Sequence, residues 1–301
     1  MDFDRTPTET PMRGEMAGTS YSVYAPQSRQ QRASVVLIHG VGMSQRVWAP
    51  QVEPLLAADF QVVVYDMLGH GGSVLPPVEP VLGDYAGQLE ALLDGLGIAR
   101  AHVVGHSMGA LVALEFALTR AARTLSVAAL NAVYDRSPDQ REAVMSRAAT
   151  LGDTTANPGD AADAAQAVDA TLRRWFGDPV PAHLTQAAQA VRHLLLSVNA
   201  VGYARTYRLF ACSDDVHVGR LTKLSAPALF LTGECDLNSS AEMSRAMADA
   251  VPRGRVDVIA DARHMMNVSH PDEVTTRLLA FFAEAMQQRA ADVPNMGEGH
   301  V

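Results

Sequence analysis

Apolar residues recur along this chain in two alternating rhythms. Short continuous apolar runs, rich in β-branched residues, occur at 34–38, 60–65, 101–104, 125–130, 227–232 and 255–259. Each reads as a buried strand. Residues 19–24 alternate like a half-exposed strand ahead of them. Between the runs, apolar residues take up helical spacing. Helices are predicted from about Arg46 to Ala57, up to about Leu96 with Asp84 as cap, from Ala110 to about Ala122, from about Ser240 to Ala250, and from Pro271 to about Arg289. This alternation implies an α/β fold, with a mostly parallel, doubly wound sheet of about eight strands flanked by helices. Such sheets bind ligands at the carboxyl ends of their strands.

The rhythm breaks after Asn131. From Ser137 to about Cys212 no strand pattern survives, and alanine-rich helical stretches alternate with breakers at Gly152, Asn157-Pro158-Gly159 and Gly177-Asp178-Pro179-Val180-Pro181. Four or so inserted helices are predicted there. The resulting division is a core of 18–134 and 216–290, a helical cap over 135–215, a disordered arm over 1–17 and a loose tail over 291–301.

Composition narrows the setting. The chain has 301 residues, 48% hydrophobic and 19% charged, enough to bury a full core. Its 24 Lys and Arg against 33 Asp and Glu leave a formal charge of −9, and no basic block is present. Nucleic acid and anionic membranes are therefore not the expected partners. Two cysteines, Cys212 and Cys235, make no disulfide framework and fit a reducing compartment. With neither the apolar core of a signal peptide nor a run of membrane-spanning length, a cytoplasmic protein is expected. The oligomeric state stays open.

The candidate chemistry centres on Gly105-His106-Ser107-Met108-Gly109, which follows the strand at 101–104 and opens a helix. A serine on so tight a turn needs small neighbours, and its hydroxyl stands clear at the strand's end. The helix behind it points free N–H groups at any anion that forms there. Other glycine-bearing stretches also follow strands: His39-Gly40-Val41-Gly42, Asp66-Met67-Leu68-Gly69-His70-Gly71-Gly72-Ser73 and Gly233-Glu234-Cys235-Asp236. Arg263-His264-Met265-Met266-Asn267 follows the last strand.

In order along the chain, His39-Gly40-Val41-Gly42, the serine pentapeptide, Asp236 and His264 resemble the α/β-hydrolase fold family, over roughly residues 19 to 289. The resemblance implies a catalytic triad in which Ser107 is the nucleophile, His264 the base and Asp236 the carboxylate behind it. It also implies an oxyanion hole made by the backbone N–H groups of Val41 and Met108. Asp135 is the second candidate for the acid, because some relatives draw it from the earlier strand. Asp236 is preferred for its glycine-assisted bend, since Asp135 runs into Arg136-Ser137-Pro138, which reads as a helix start.

Other residues have simpler readings. His39 and His106 flank the site and fit structural hydrogen bonds, Asp66 and His70 fit a loop-organising pair, and Cys235 fits packing. No third ligand joins Asp66 and His70 into a metal site. Trp175, Phe176, Tyr203, Tyr207 and Phe210 form an aromatic stripe of the kind that more often packs a core than a pocket. Trp48, Trp175 and Tyr203 are the candidates for substrate contact. The function expected is a serine esterase or lactonase acting on a small molecule, working through an acyl-serine without metal or organic cofactor. C–C bond or amide hydrolysis on the same triad is the alternative, although Met265 stands where C–C hydrolases usually carry tryptophan. A small-molecule receptor with vestigial activity is the alternative of another class.

Overall fold

A computed structural model of the chain describes residues 10–28, 33–154 and 161–292. Eight strands form one sheet: β1 (Met12–Met16), β2 (Thr19–Tyr24), β3 (Ser34–Ile38), β4 (Gln61–Tyr65), β5 (Ala101–His106), β6 (Thr124–Leu130), β7 (Ala228–Gly233) and β8 (Gly254–Ile259). Their order across the sheet is β1-β2-β4-β3-β5-β6-β7-β8. The pairs β1–β2 and β2–β4 are antiparallel, and every other pair is parallel. All five residues of β3 are buried, as a strand covered on both faces requires.

Helices cover both faces. On one, α2 (Leu82–Gly95), α3 (Met108–Thr119) and α8 (Ala241–Ala250) share an apolar cluster with Val36, Ile38, Val63, Val103 and Phe230. On the other, α1 (Ala49–Ala57) and α10 (Pro271–Asp292) pack with Val35, Leu37, Val62, Val104 and Leu229. Helix α3 is buried from Met108 to Ala117. Its one charged residue there, Glu115, meets Arg220 at 2.9 Å and His217 Nε2 at 3.3 Å, from the chain returning to β7.

Several local expectations are corrected. Met12–Met16, read as part of a disordered arm, is the edge strand of a hairpin closed by Ala17 and Gly18, both at positive φ (48° and 76°), as two-residue hairpin turns require. Its residues are mostly exposed, so no apolar rhythm marks them. Asp84 is not the cap residue of α2. It lies in the first turn, and its Oδ2 accepts from the N–H of Val81, which precedes the helix. Residues Gln45–Trp48 form a 3₁₀ turn ahead of α1, and Met266–Ser269 form a short helix, α9, ahead of α10. The expected loose arm over 1–9, the break at 157–159 and the loose tail over 293–301 lie outside the described residues.

Between β6 and β7 the chain is helical: α4 (Pro138–Thr154), α5 (Ala161–Phe176), α6 (Thr185–Leu196) and α7 (Ala200–Ala211). Ser137 and Gln140 cap α4 reciprocally, Ser137 Oγ accepting from Gln140 N and Gln140 Oε1 from Ser137 N. A buried clasp joins the two ends of this insertion. The Asp135 N–H donates to Asp214 O at 2.8 Å and the Arg136 N–H to Asp214 Oδ2 at 2.9 Å. The side chains of Arg136 and Arg141 also bind the Asp214 carboxylate.

Helix α7 rests on the loop after β4 through two glycines. A Cβ at Gly202 would collide with the Gly69 carbonyl oxygen, and one at Gly69, itself at φ 78°, would lie 2.7 Å from Gly202 Cα. The Tyr85 and Thr206 hydroxyls, 2.8 Å apart, and a bond from Arg205 to Pro76 O hold the same contact. Gly202→Ala should therefore lower stability by about 1–3 kcal/mol, read as the shift in the urea unfolding midpoint. An unchanged midpoint would refute close backbone contact at this point.

Candidate active site

Ser107 sits where β5 turns into α3, at φ 55° and ψ −116°, a region that side-chain-bearing residues rarely occupy. A Cβ at Gly105 would run into the backbone of Gly109 and Ala110, and one at Gly109 into the carbonyls of Ile38 and His39. The two glycines thus let β5, α3 and the end of β3 touch backbone to backbone. The Ser107 N–H donates to Leu130 O at the end of β6, 2.8 Å away. The hydroxyl faces a cavity of about 400 Å³ that His264 also lines. Among the described residues no hydrogen bond joins the two side chains.

Behind His264 stands Asp236. Its Oδ2 accepts from His264 Nδ1 at 2.9 Å and from Asn131 Nδ2 at 2.7 Å, and its Oδ1 accepts from the Asn238 N–H at 2.8 Å. Burial by itself would raise the Asp236 pKa, but the His264 ring and these two donors outweigh it and hold the carboxyl below its usual range. Asp135, the other candidate, is exposed and does not line the cavity. Asn131, which orients Asp236, was missed in the sequence. It lies just past β6 at φ 50°, and Ser239 Oγ donates to its carbonyl.

Val41 and Met108 flank the serine. Val41 lines the cavity beside Ser107, whereas Met108, the first residue of α3, is fully buried and is not part of the lining. The Val41 loop is held by two histidines. His39 Nε2 accepts from the Met67 N–H and its Nδ1 lies 2.8 Å from Gly40 O; His70 Nε2 accepts from the Gly42 N–H and its Nδ1 lies 3.1 Å from Leu68 O. A ring that accepts at one nitrogen and donates at the other must be neutral. Asp66 binds elsewhere, accepting from Gln45 and the Gly72 N–H. His106 Nε2 donates to the carbonyl of His264, which fixes the loop carrying that ring.

Of the proposed substrate-contact residues, Trp175 and Tyr203 line the cavity. The Trp175 ring lies 5.3 Å from the His264 ring, tilted by 35°. Trp48 does not line it. The 3₁₀ turn at Gln45–Trp48 rotates Trp48 into the apolar cluster beneath α1, where it is fully buried. Tyr207 and Phe210 line the cavity as well, and so do Arg136, Arg147 and Arg174, three cations that no local sequence signal marks as cavity residues. Helical spacing puts a residue on a face, but says nothing of what that face meets. The one group of described residues spaced to hold a metal, Glu234, Cys235 and Asp261, shares no member with the cavity lining. No described helix is long and apolar enough to cross a membrane.

A mostly parallel sheet with serine, carboxylate and histidine in that order after β5, β7 and β8, and a helical insertion after β6, has the architecture of an α/β hydrolase. The profile of the Alpha/beta hydrolase family matches residues 35–277, and the chain belongs to that family. It is 34% identical over 247 residues to the (E)-2-((N-methylformamido)methylene)succinate hydrolase of Acinetobacter baylyi, covering 82% of this chain and 89% of that protein. It is 28% identical over 257 residues to 3-oxoadipate enol-lactonase 1 of the same organism, covering 84% and 90%. The crystal structure of the enol-lactonase from Burkholderia xenovorans LB400 superimposes with a TM-score of 0.76 at 27% identity, covering 90% of this chain and all of that one. These relatives are hydrolases of small molecules, and this chain is a hydrolase of the same family.

The buried histidines tie stability to pH. Burial lowers the pKa of His39 to about 4 and of His102 to about 4, and that of His70 and His106 to about 3. Above the unfolded value of about 6.5 these groups are neutral in both states and contribute nothing. As pH falls below about 6.5, the unfolded chain takes up protons the folded chain refuses, and each histidine withdraws about 1.4 kcal/mol per pH unit until its folded pKa is reached. Tm should therefore fall steadily from about pH 7 to about pH 5, and a flat profile would contradict the neutral, buried state of these rings.

Proposed function

We propose that this hydrolase cleaves a small carboxylic ester or lactone through an acyl-serine intermediate. The observation that carries the reading is the His264 ring, backed by the buried Asp236, lining the same cavity as Ser107. His264 takes the proton of the Ser107 hydroxyl as it attacks the substrate carbonyl, and later returns that proton to the leaving oxygen. Asp236 holds the ring with Nδ1 protonated, leaving the other nitrogen free to act as base, and stabilises the imidazolium. The N–H groups of Val41 and Met108 receive the oxyanion, where loss of one such donor typically costs 10²–10³-fold in kcat. A water molecule activated by His264 then releases the acid. Helices α4 to α7 act as a lid over this site, and no metal or organic cofactor enters the reaction. The setting proposed is the cytoplasm, and no nucleic acid or membrane partner is part of the reading.

A second reading keeps the same residues and changes the bond. The relative at 34% identity is named as the hydrolase of a formamido compound, which favours cleavage of an amide-like C–N bond. A panel of short esters, lactones and enamides separates the two.

A neutral alkyl fluorophosphonate should label Ser107 covalently, with Ser107→Ala unlabelled; label recovered on another residue would refute the mechanism. Asp236→Asn should keep the fold but lower kcat by up to about 10⁴-fold, as the serine-protease precedent suggests. Near-normal turnover in that variant, with loss in Asp135→Asn, would move the acid to the start of the helical insertion.

A further inference from the structure

The charge of the cavity wall is at odds with that of the chain. The protein carries a formal charge of −9, yet the residues lining the cavity include three arginines and no aspartate or glutamate. All three come from the helical insertion, Arg136 and Arg147 at and in α4 and Arg174 in α5, whereas Ser107, His264 and Val41 come from the sheet side.

Their surroundings differ. Arg136 is buried, bonded to Asp214 at 3.4 Å and stacked over the Phe210 ring at 4.7 Å, so its charge is answered within the protein. Arg147 and Arg174 have no carboxylate within 4.0 Å among the described residues. The neighbouring Arg173 pairs with Asp178, which leaves Arg174 as the member of that pair turned to the cavity. Arg147 is half-buried, and its Nη2 donates to Thr171 Oγ1 at 2.9 Å while the group lies 5.6 Å over the Tyr207 ring. Stacking explains its orientation but supplies no counter-charge, and among the described residues no carboxylate meets either Arg147 or the exposed Arg174. The three groups also converge. Burial raises the pKa of the Tyr207 phenol, and Arg147, Arg136 and Arg174 all act to lower it.

We infer that the substrate carries a carboxylate apart from the bond that is cleaved, and that Arg147 and Arg174 bind it. This rests on the hydrolase reading above and deepens it, naming the substrate class as small carboxylate-bearing esters, lactones or amides. A guanidinium presents paired donors that match both oxygens of a carboxylate, so the wall selects for the anion by charge and by geometry. The carboxylate anchors one end of the substrate while the scissile carbonyl meets Ser107, an orientation that a neutral acyl chain cannot obtain from this wall.

The test compares two esters with six-carbon acyl chains, mono-4-nitrophenyl adipate and 4-nitrophenyl hexanoate, on wild type and on the double variant Arg147→Gln, Arg174→Gln. The readout is the ratio of kcat/KM for the anionic ester to that for the neutral one. Wild type should favour the adipate by about 10- to 100-fold, chiefly through KM, and the double variant should bring the ratio close to one. A ratio near one in wild type, or one unchanged in the double variant, overturns the inference. If neither ester is turned over, fluorophosphonate labelling decides which claim has failed. Without label on Ser107 the hydrolase reading falls. Adipate binding is then measured by calorimetry on both proteins, and equal or absent binding overturns the carboxylate site. Where Ser107 does label, adipate should slow labelling in wild type and not in the double variant, and equal rates overturn the site.

Discussion

Everything at this site is keyed to the backbone contact of three elements around Ser107. β5, α3 and the end of β3 approach closely enough that only glycine fits at 105 and 109. The positive φ at Ser107 costs on the order of 1–3 kcal/mol, and such a conformation persists only when the surroundings over-determine it. Here they do. The Ser107 N–H is held by β6, and α3 is buried along most of its length, so the serine cannot relax without moving the centre of the sheet. Because the same contact brings the His39–Gly40 loop against the start of α3, the spacing of Val41, Met108 and Ser107 is set by packing.

The electrostatics follow a similar economy. Four histidines lie buried near the sheet's carboxyl edge, His39, His70, His106 and His264, but only His264 has a carboxylate against its ring. The other three are kept neutral by burial and spend both or one of their ring nitrogens on backbone groups. Of these four rings, His264 is therefore the one paired with a carboxylate. Uncharged neighbours also leave the field of Asp236 undiluted at His264.

How much of this is legible in the sequence depends on the range of the interaction. The strands β3 to β8 and the serine turn are local matters of apolar runs and glycine placement, and they stand where the residue pattern puts them. The order of Ser107, Asp236 and His264 is equally open to reading. Asn131 is not, because an asparagine after a strand looks like any turn residue until β7 brings Asp236 to it across 105 positions. Trp48 is opaque for the opposite reason: it follows Val41 closely in sequence, yet the 3₁₀ turn at Gln45–Trp48 ends with it buried in the apolar cluster. The strand at Met12–Met16 has no apolar rhythm, since an exposed edge strand needs only backbone pairing. The cavity arginines are dispersed along helices whose faces only the folded chain defines.

The clasp at Asp214 bears on how such a protein can change over generations. It ties residues 135 and 136 to residue 214, so the segment between them closes on itself at the boundary of the sheet. Closing a loop costs little more when the loop is lengthened, by roughly 0.6 kcal/mol per doubling. The length of the segment beyond the clasp is therefore weakly constrained, whereas its seat on the core is fixed at Gly202, Arg205 and Thr206. Between those two anchors the helices that carry Arg147 and Arg174 can change in length at little cost to the fold. The proposed selectivity can drift there while Ser107, Asp236 and His264 stay under the separate constraint of the sheet.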